Sequence, residues 1–146
     1  MKNYLAYKIG SSSGAPTEQS IKFIALKNKD GLKKTLMENQ LDSDLVSGVY
    51  EGGLKIWECS LDLVDYISAN ALEFKDKSVL ELGCGQGLPG VMCMLVGAKE
   101  VVFQDFNIEV LENATQPVVD INNCSRSKCE FLAGSWEKVI KNKELS

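Results

Sequence analysis

The sequence predicts an α/β fold built on a parallel sheet, and three observations carry that prediction. Downstream of residue 77, apolar runs of strand length alternate with longer amphipathic ones: SVLELG, LPGVMCMLVG, EVVFQD, IEVLENATQPVVDIN and CEFLAG read as strand, helix, strand, helix and strand. A glycine-rich turn, ELGCGQGLPG, joins the first of these strands to the first helix. An amphipathic stretch precedes them, able to cover one face of the sheet. Strands that alternate with helices pair in parallel through right-handed crossovers.

Taken in order, the chain opens with two short runs, Tyr4 to Ile9 and Ile21 to Leu26, separated by SSSGAPTEQS. Their alternation and the Ser, Gly and Pro content between them suggest two weak strands, an N-terminal arm or hairpin. Residues 27–42 are polar, with Leu32, Leu36 and Leu41 loosely spaced as on a helical face, which suits a short surface helix or a linker. We therefore divide the sequence into an arm and linker, residues 1–42, and an α/β unit, residues 43–146. From Trp57 onward, Trp57, Leu61, Val64 and Ile67 recur at spacings of three and four with Glu58, Asp62 and Asp65 between them, the pattern of an amphipathic helix.

Composition narrows the function classes. With 45% hydrophobic and 25% charged residues over 146 positions, the chain suits one globular core. A net charge of -4, with no basic run interleaved with aromatics, argues against direct nucleic-acid binding. Cys59, Cys84, Cys93, Cys124 and Cys129 are odd in number and form no CxxC pair, so neither a disulfide framework nor a metal site is indicated. That usage suits a cytoplasmic and nuclear location. Met1 to Gly10 lacks the continuous apolar stretch of a signal peptide or membrane span. Asn113-Ala114-Thr115 and Asn123-Cys124-Ser125 match the glycosylation pattern, but without an export signal both read as chance.

The chemistry concentrates in the glycine-rich turn, where Gly83, Gly85, Gly87 and Gly90 lie between a buried strand and a helix. Glycine takes positive φ and presents backbone N–H groups without a steric wall, as a ligand lying across strand ends requires. Glu81, two residues before Gly83, is placed to reach the ammonium group of an amino-acid-bearing cofactor and would repel a pyrophosphate. Asp105 ends the next strand, about 20 residues beyond the turn, the separation at which an acidic side chain meets ribose hydroxyls. Two carboxylates and a glycine loop suit an adenosyl amino acid, S-adenosyl-L-methionine. Gly85, Gly87 and Gly90 also satisfy GxGxxG, so a nicotinamide or flavin site is the nearest rival. Cys84 lies inside the loop, but the chain contains no histidine to serve as its base, so a buried thiol is the plainer reading.

The segment SDLVSGVYEGGLKIWECSLDLVDYI, followed by the glycine loop and by FQDFN, closely resembles the protein-histidine N-methyltransferases of the seven-strand, Rossmann-like class. The resemblance runs from about Ser43 to Trp136, and GVYEGGLKIWEC is its most specific part. It implies cofactor-lining roles for Ile56, Trp57, Glu58, Cys59 and Ser60, for Gly83, for Asp105, Phe106 and Asn107, and for Gly134, Ser135 and Trp136. It also implies methyl transfer from S-adenosylmethionine to a histidine of a large-subunit ribosomal protein, with no metal required. The small protein-lysine methyltransferases share the fold and an Asp followed by Val-Leu, here Asp105, Val110 and Leu111, so a lysine acceptor stays open.

A complete domain of this class has seven strands, whereas only the first three parallel strands are expected here, so the chain reads as C-terminally truncated. The fourth strand normally pairs beside the first, which would leave Val79 to Leu82 as an open edge inviting a partner. Weakened cofactor affinity and little methyl transfer by the isolated chain are then expected. A different class of function, a non-catalytic interaction protein retaining half of the fold, follows from the same open edge.

Overall fold

The computed structural model describes residues 3–10, 19–25 and 52–144. The reading of residues 27–42 as helix or linker lies outside the described residues. Strands β1 (Asn3–Lys8) and β2 (Ser20–Ala25) form the expected antiparallel hairpin, with Tyr4 opposite Ile24 and Tyr7 opposite Ile21. Ile9, Ile21 and Ile24 are buried and join the same core as the α/β unit, so the hairpin is packed into the fold.

Helix α1 (Glu58–Ala69) follows the predicted stripe, burying Val64 and Ile67 against the rest of the core. Glu58 in its first turn complements the positive end of the helix dipole. A short helix α2 (Ala71–Phe74) leads into β3 (Ser78–Leu82). Helix α3 (Leu88–Leu95) then starts after Gly87, with Pro89 in its first turn, where a missing N–H has no helical partner to lose. Its residues Leu88 through Cys93 are all buried, as befits a helix that is apolar on every side.

Strand β4 (Glu100–Asp105) pairs in parallel with β3 on one side and with β5 (Cys129–Ala133) on the other, giving the order β3-β4-β5. The register sets Glu81 opposite Phe103 and Phe103 opposite Phe131. These residues share the face covered by helices, where the two phenylalanine rings stack with centroids 5.5 Å apart. On the other face Leu80 and Leu82 stay half exposed. Among the described residues β3 pairs only with β4.

The single helix expected over IEVLENATQPVVDIN is interrupted. It runs as α4 (Ile108–Val110), a π-helical turn (Leu111–Thr115) and α5 (Gln116–Ile121). Pro117 has no N–H to offer the carbonyl four residues back, and the widened turn lies immediately before it. After β5, residues 136–144 form a helix, α6 (Trp136–Glu144), beyond the last element read from the sequence. Ser135 Oγ accepts the Lys138 N–H at 3.3 Å and caps it, while Lys141 pairs with Glu137 one turn back at 2.7 Å. No helix among the described residues is long and apolar enough to cross a membrane.

Candidate cofactor site

A cleft of about 480 Å³ opens at the C-terminal ends of the three parallel strands, within the size range of small-molecule sites. Ten of the fourteen residues singled out in the sequence line it: Ile56, Trp57, Ser60, Gly83, Gly85, Asp105, Phe106, Gly134, Ser135 and Trp136. They arrive from four separate segments, the entrance to α1 and the turns after β3, β4 and β5.

Asp105 anchors the floor. It is buried, its Oδ2 accepts the Gly85 N–H at 2.9 Å and its Oδ1 accepts the Asn107 N–H at 3.1 Å. Each carboxylate oxygen can accept more than one hydrogen bond, so these contacts orient the group without exhausting it. Gly85 is held at its other end too, because Thr115 Oγ1 donates to the Gly85 carbonyl at 2.6 Å. Thr115 reaches that carbonyl from the end of the π-helical turn, which ties the irregularity in the helix to the shape of the loop.

Two glycines show why the loop needs them. Gly83 has φ +60°, and a Cβ added there would meet nothing within 4 Å, so the backbone faces open space in the cleft. Gly90 is different: a Cβ there would collide with the Phe103 ring and come within 2.5 Å of Glu81 Oε2. The first leaves room for a ligand, and the second lets α3 pack closely on the sheet.

Gln104 holds the cleft's walls together. It is almost fully buried, its Oε1 accepts both the Gly83 N–H and the Trp136 indole N–H at 3.0 Å, and its Nε2 donates to the Gly134 carbonyl at 2.8 Å. A single carboxamide therefore joins the turns after β3 and β5. The aromatic residues Trp57, Phe106 and Trp136 remain partly exposed along the cleft, offering flat apolar surface. Lys55, also on the cleft, stacks its ammonium 4.6 Å from the centre of the Trp57 ring.

Four expected residues do not line the cleft. Glu58 and Cys59 lie on the exposed first turn of α1. Asn107 is buried at the start of α4 and serves the backbone there, its carbonyl accepting the Val110 N–H at 3.1 Å. Glu81 is the substantive correction. Instead of facing a ligand's ammonium group, its Oε2 accepts the Gly90 N–H at 2.8 Å, capping the first turn of α3. Burial pushes its carboxyl up to about 8, the Gly90 hydrogen bond works against that rise, and the charge of Asp105 adds to it.

Cys84 also touches the cleft, but burial, followed by the nearby charge of Glu81, drives its thiol far above the ordinary range. A thiol held protonated is no nucleophile. The residues missed in the sequence, among them Gly53, Gln86 and Gln104, mostly position others. Gly53, for example, packs so closely that its carbonyl oxygen would lie 2.9 Å from a Cβ placed on Gly85.

The family model described as lysine methyltransferase matches residues 40–146, most of the chain. The chain belongs to that family. As a member of the lysine methyltransferase family it is 45% identical over 112 residues to a histidine protein methyltransferase 1 homolog of Dictyostelium discoideum, covering 74% of this chain and 36% of the relative. A Bos taurus protein of the same name is 43% identical over 122 residues, covering 68% of this chain and 33% of the relative. The chain thus spans about a third of the length of the curated relatives it matches. Among solved structures, one from Streptococcus mutans assigned to the SAM-dependent methyltransferases superposes with a TM-score of 0.53 at 13% identity, covering 86% of this chain and 27% of the other. That likeness speaks to the fold. The family placement agrees with the resemblance carried by GVYEGGLKIWEC, and the likeness of fold agrees with the parallel α/β unit read from the strand and helix order.

Proposed function

We propose that this member of the lysine methyltransferase family forms the S-adenosylmethionine-binding part of a protein-histidine N-methyltransferase. The observation that carries the reading is the floor of the cleft, where the oriented carboxylate of Asp105 lies beside a glycine loop whose Gly83 leaves open space. The residues present fit the group. Asp105 offers acceptors for the two ribose hydroxyls, Gly83 and Gly134 allow close backbone approach, and Trp57, Phe106 and Trp136 supply apolar surface for adenine or the methylthio group. When bound, the cofactor supplies a methyl group on a positively charged sulfur. The chain's own part is to hold and orient that group and to keep water from it, so positioning dominates over covalent catalysis.

The histidine acceptor is supported by the names of the relatives that share 43–45% identity. A large-subunit ribosomal protein as substrate belongs to the same proposal and rests on the family resemblance alone, and a cytoplasmic and nuclear location belongs to it on the strength of the cysteine usage. A lysine acceptor is the second reading, favoured by the family's own description.

Two measurements test the proposal. In thermal-shift assays S-adenosylhomocysteine should stabilise the chain and NAD should not; stabilisation by NAD alone would remove the cofactor reading. Methyl transfer by this chain to ribosomal proteins is expected to be weak, and after incubation with labelled S-adenosylmethionine and acid hydrolysis the label that is transferred should appear as methylhistidine, whereas methyl-lysine would move the acceptor to the second reading.

A further inference from the structure

Gln86 occupies the middle of the glycine loop, between Gly85 at φ +54° and Gly87 at φ +75°, yet its side chain bonds to residues outside the loop. It is 3% exposed. Its Oε1 accepts the Ile24 N–H at 3.0 Å, and its Nε2 donates to the Ile24 carbonyl at 3.1 Å and to the Leu54 carbonyl at 2.8 Å. By exchanging two hydrogen bonds with one residue of β2, the carboxamide imitates a neighbouring strand.

Asn122, at the end of α5, repeats the device two residues earlier on β2. Its Oδ1 accepts the Lys22 N–H at 2.9 Å and its Nδ2 donates to the Lys22 carbonyl at 2.8 Å. Residues 22 and 24 turn their backbone groups to the same side, away from β1, so two carboxamides occupy that edge of β2. A third anchor joins the hairpin to α1, where Asp65 accepts the Tyr7 hydroxyl at 2.9 Å and the Gly10 N–H at 2.8 Å. The hairpin is therefore fastened to the glycine loop, to α5 and to the helix whose entrance lines the cleft.

We propose that the hairpin is a working part of the cofactor cleft, and that Gln86 is the positioning residue that couples hairpin docking to the shape of the glycine loop. The inference rests on the reading of the cleft as an S-adenosylmethionine site. Gln86 lies between two left-handed glycines, where no helical or sheet ladder fixes the chain, and its three side-chain bonds supply that fixation. Coupling of this kind is reciprocal: whatever hairpin docking adds to cofactor affinity, the cofactor must return as hairpin protection.

The test compares the full chain with Gln86→Glu, which keeps the acceptor for Ile24 but loses both donated bonds. Asn122→Asp makes the equivalent change at a site away from the cleft, and circular dichroism verifies that each variant is folded. S-adenosylhomocysteine affinity is measured by calorimetry, and amide exchange at Lys22 and Ile24 by NMR with and without that ligand. The ligand should slow exchange at both amides in the unsubstituted chain. Gln86→Glu should weaken binding roughly tenfold, as expected for two lost hydrogen bonds, and abolish the ligand-dependent protection. Asn122→Asp should weaken binding less, in the same direction. Unchanged affinity in both variants, or hairpin exchange indifferent to the ligand, would overturn the coupling while leaving the cofactor reading intact. Failure of the unsubstituted chain to bind S-adenosylhomocysteine would overturn both.

Discussion

Replacing Glu81 with Gln is expected to stabilise the chain at alkaline pH and to flatten its pH profile. In the folded protein the carboxyl lies against the first turn of α3 and titrates near 8, whereas its ordinary value is 4.5. Between those two values the folded state keeps a proton that the unfolded chain has released. The stability this confers is complete below about pH 4.5 and is lost as the pH rises through 8. Each unit of pKa difference corresponds to about 1.4 kcal/mol, so the loss across the window reaches at most ~5 kcal/mol, a large share of a small domain's total. Glu81→Gln preserves an acceptor for the Gly90 N–H and removes the ionisation. Urea denaturation of both proteins at pH 5, 6, 7 and 8 reads the effect directly. The unsubstituted chain should lose stability steadily over that range while the variant stays nearly level. Parallel profiles would refute the assignment of a buried, proton-holding carboxyl at this position.

Other substitutions separate packing from ligand contact. Gly90→Ala forces a methyl against the buried Phe103 ring, which is fixed by its stack with Phe131, and should cost ~1–3 kcal/mol in chemical denaturation even though alanine is the better helix former. Gly83→Ala meets no neighbour, so it should cost only about 1–2 kcal/mol of left-handed strain. Its larger effect should appear as weaker S-adenosylhomocysteine binding in a fluorescence titration. Thr115→Val leaves the Gly85 carbonyl without its 2.6 Å donor and should destabilise by about 1–3 kcal/mol, read as a lower urea midpoint.

The parallel unit was legible because each strand is a short apolar run closed by glycine or a polar turn, and because spacings of three and four marked α1. Asp105 was legible by its place at a strand end. Glu81 misled for a reason its own strand contains: alternation puts it on the face of Val79, opposite Phe103, where α3 lies, and not among the exposed Leu80 and Leu82. Gln104 carried a signal that went unused. A glutamine inside a strand with neighbours on both sides has to find partners or remain costly, and it found three. Nothing local distinguishes Gln86 from an exposed loop residue, since its partners Ile24 and Leu54 are brought to it only by the tertiary fold. The π-helical turn was likewise hidden, although Pro117 marked where a regular helix would fail.

The central claim is that the cleft floored by Asp105 binds S-adenosylmethionine, and calorimetric titration of the chain with S-adenosylhomocysteine tests it most directly when paired with Asp105→Asn. An asparagine cannot accept from both the Gly85 and Asn107 N–H groups, and it offers a ribose a poorer acceptor, so a buried hydrogen bond worth about 1–3 kcal/mol is lost. We predict single-site binding by the unsubstituted chain, weakened at least tenfold in the variant. Absence of binding, or equal affinity in the two proteins, would contradict the account.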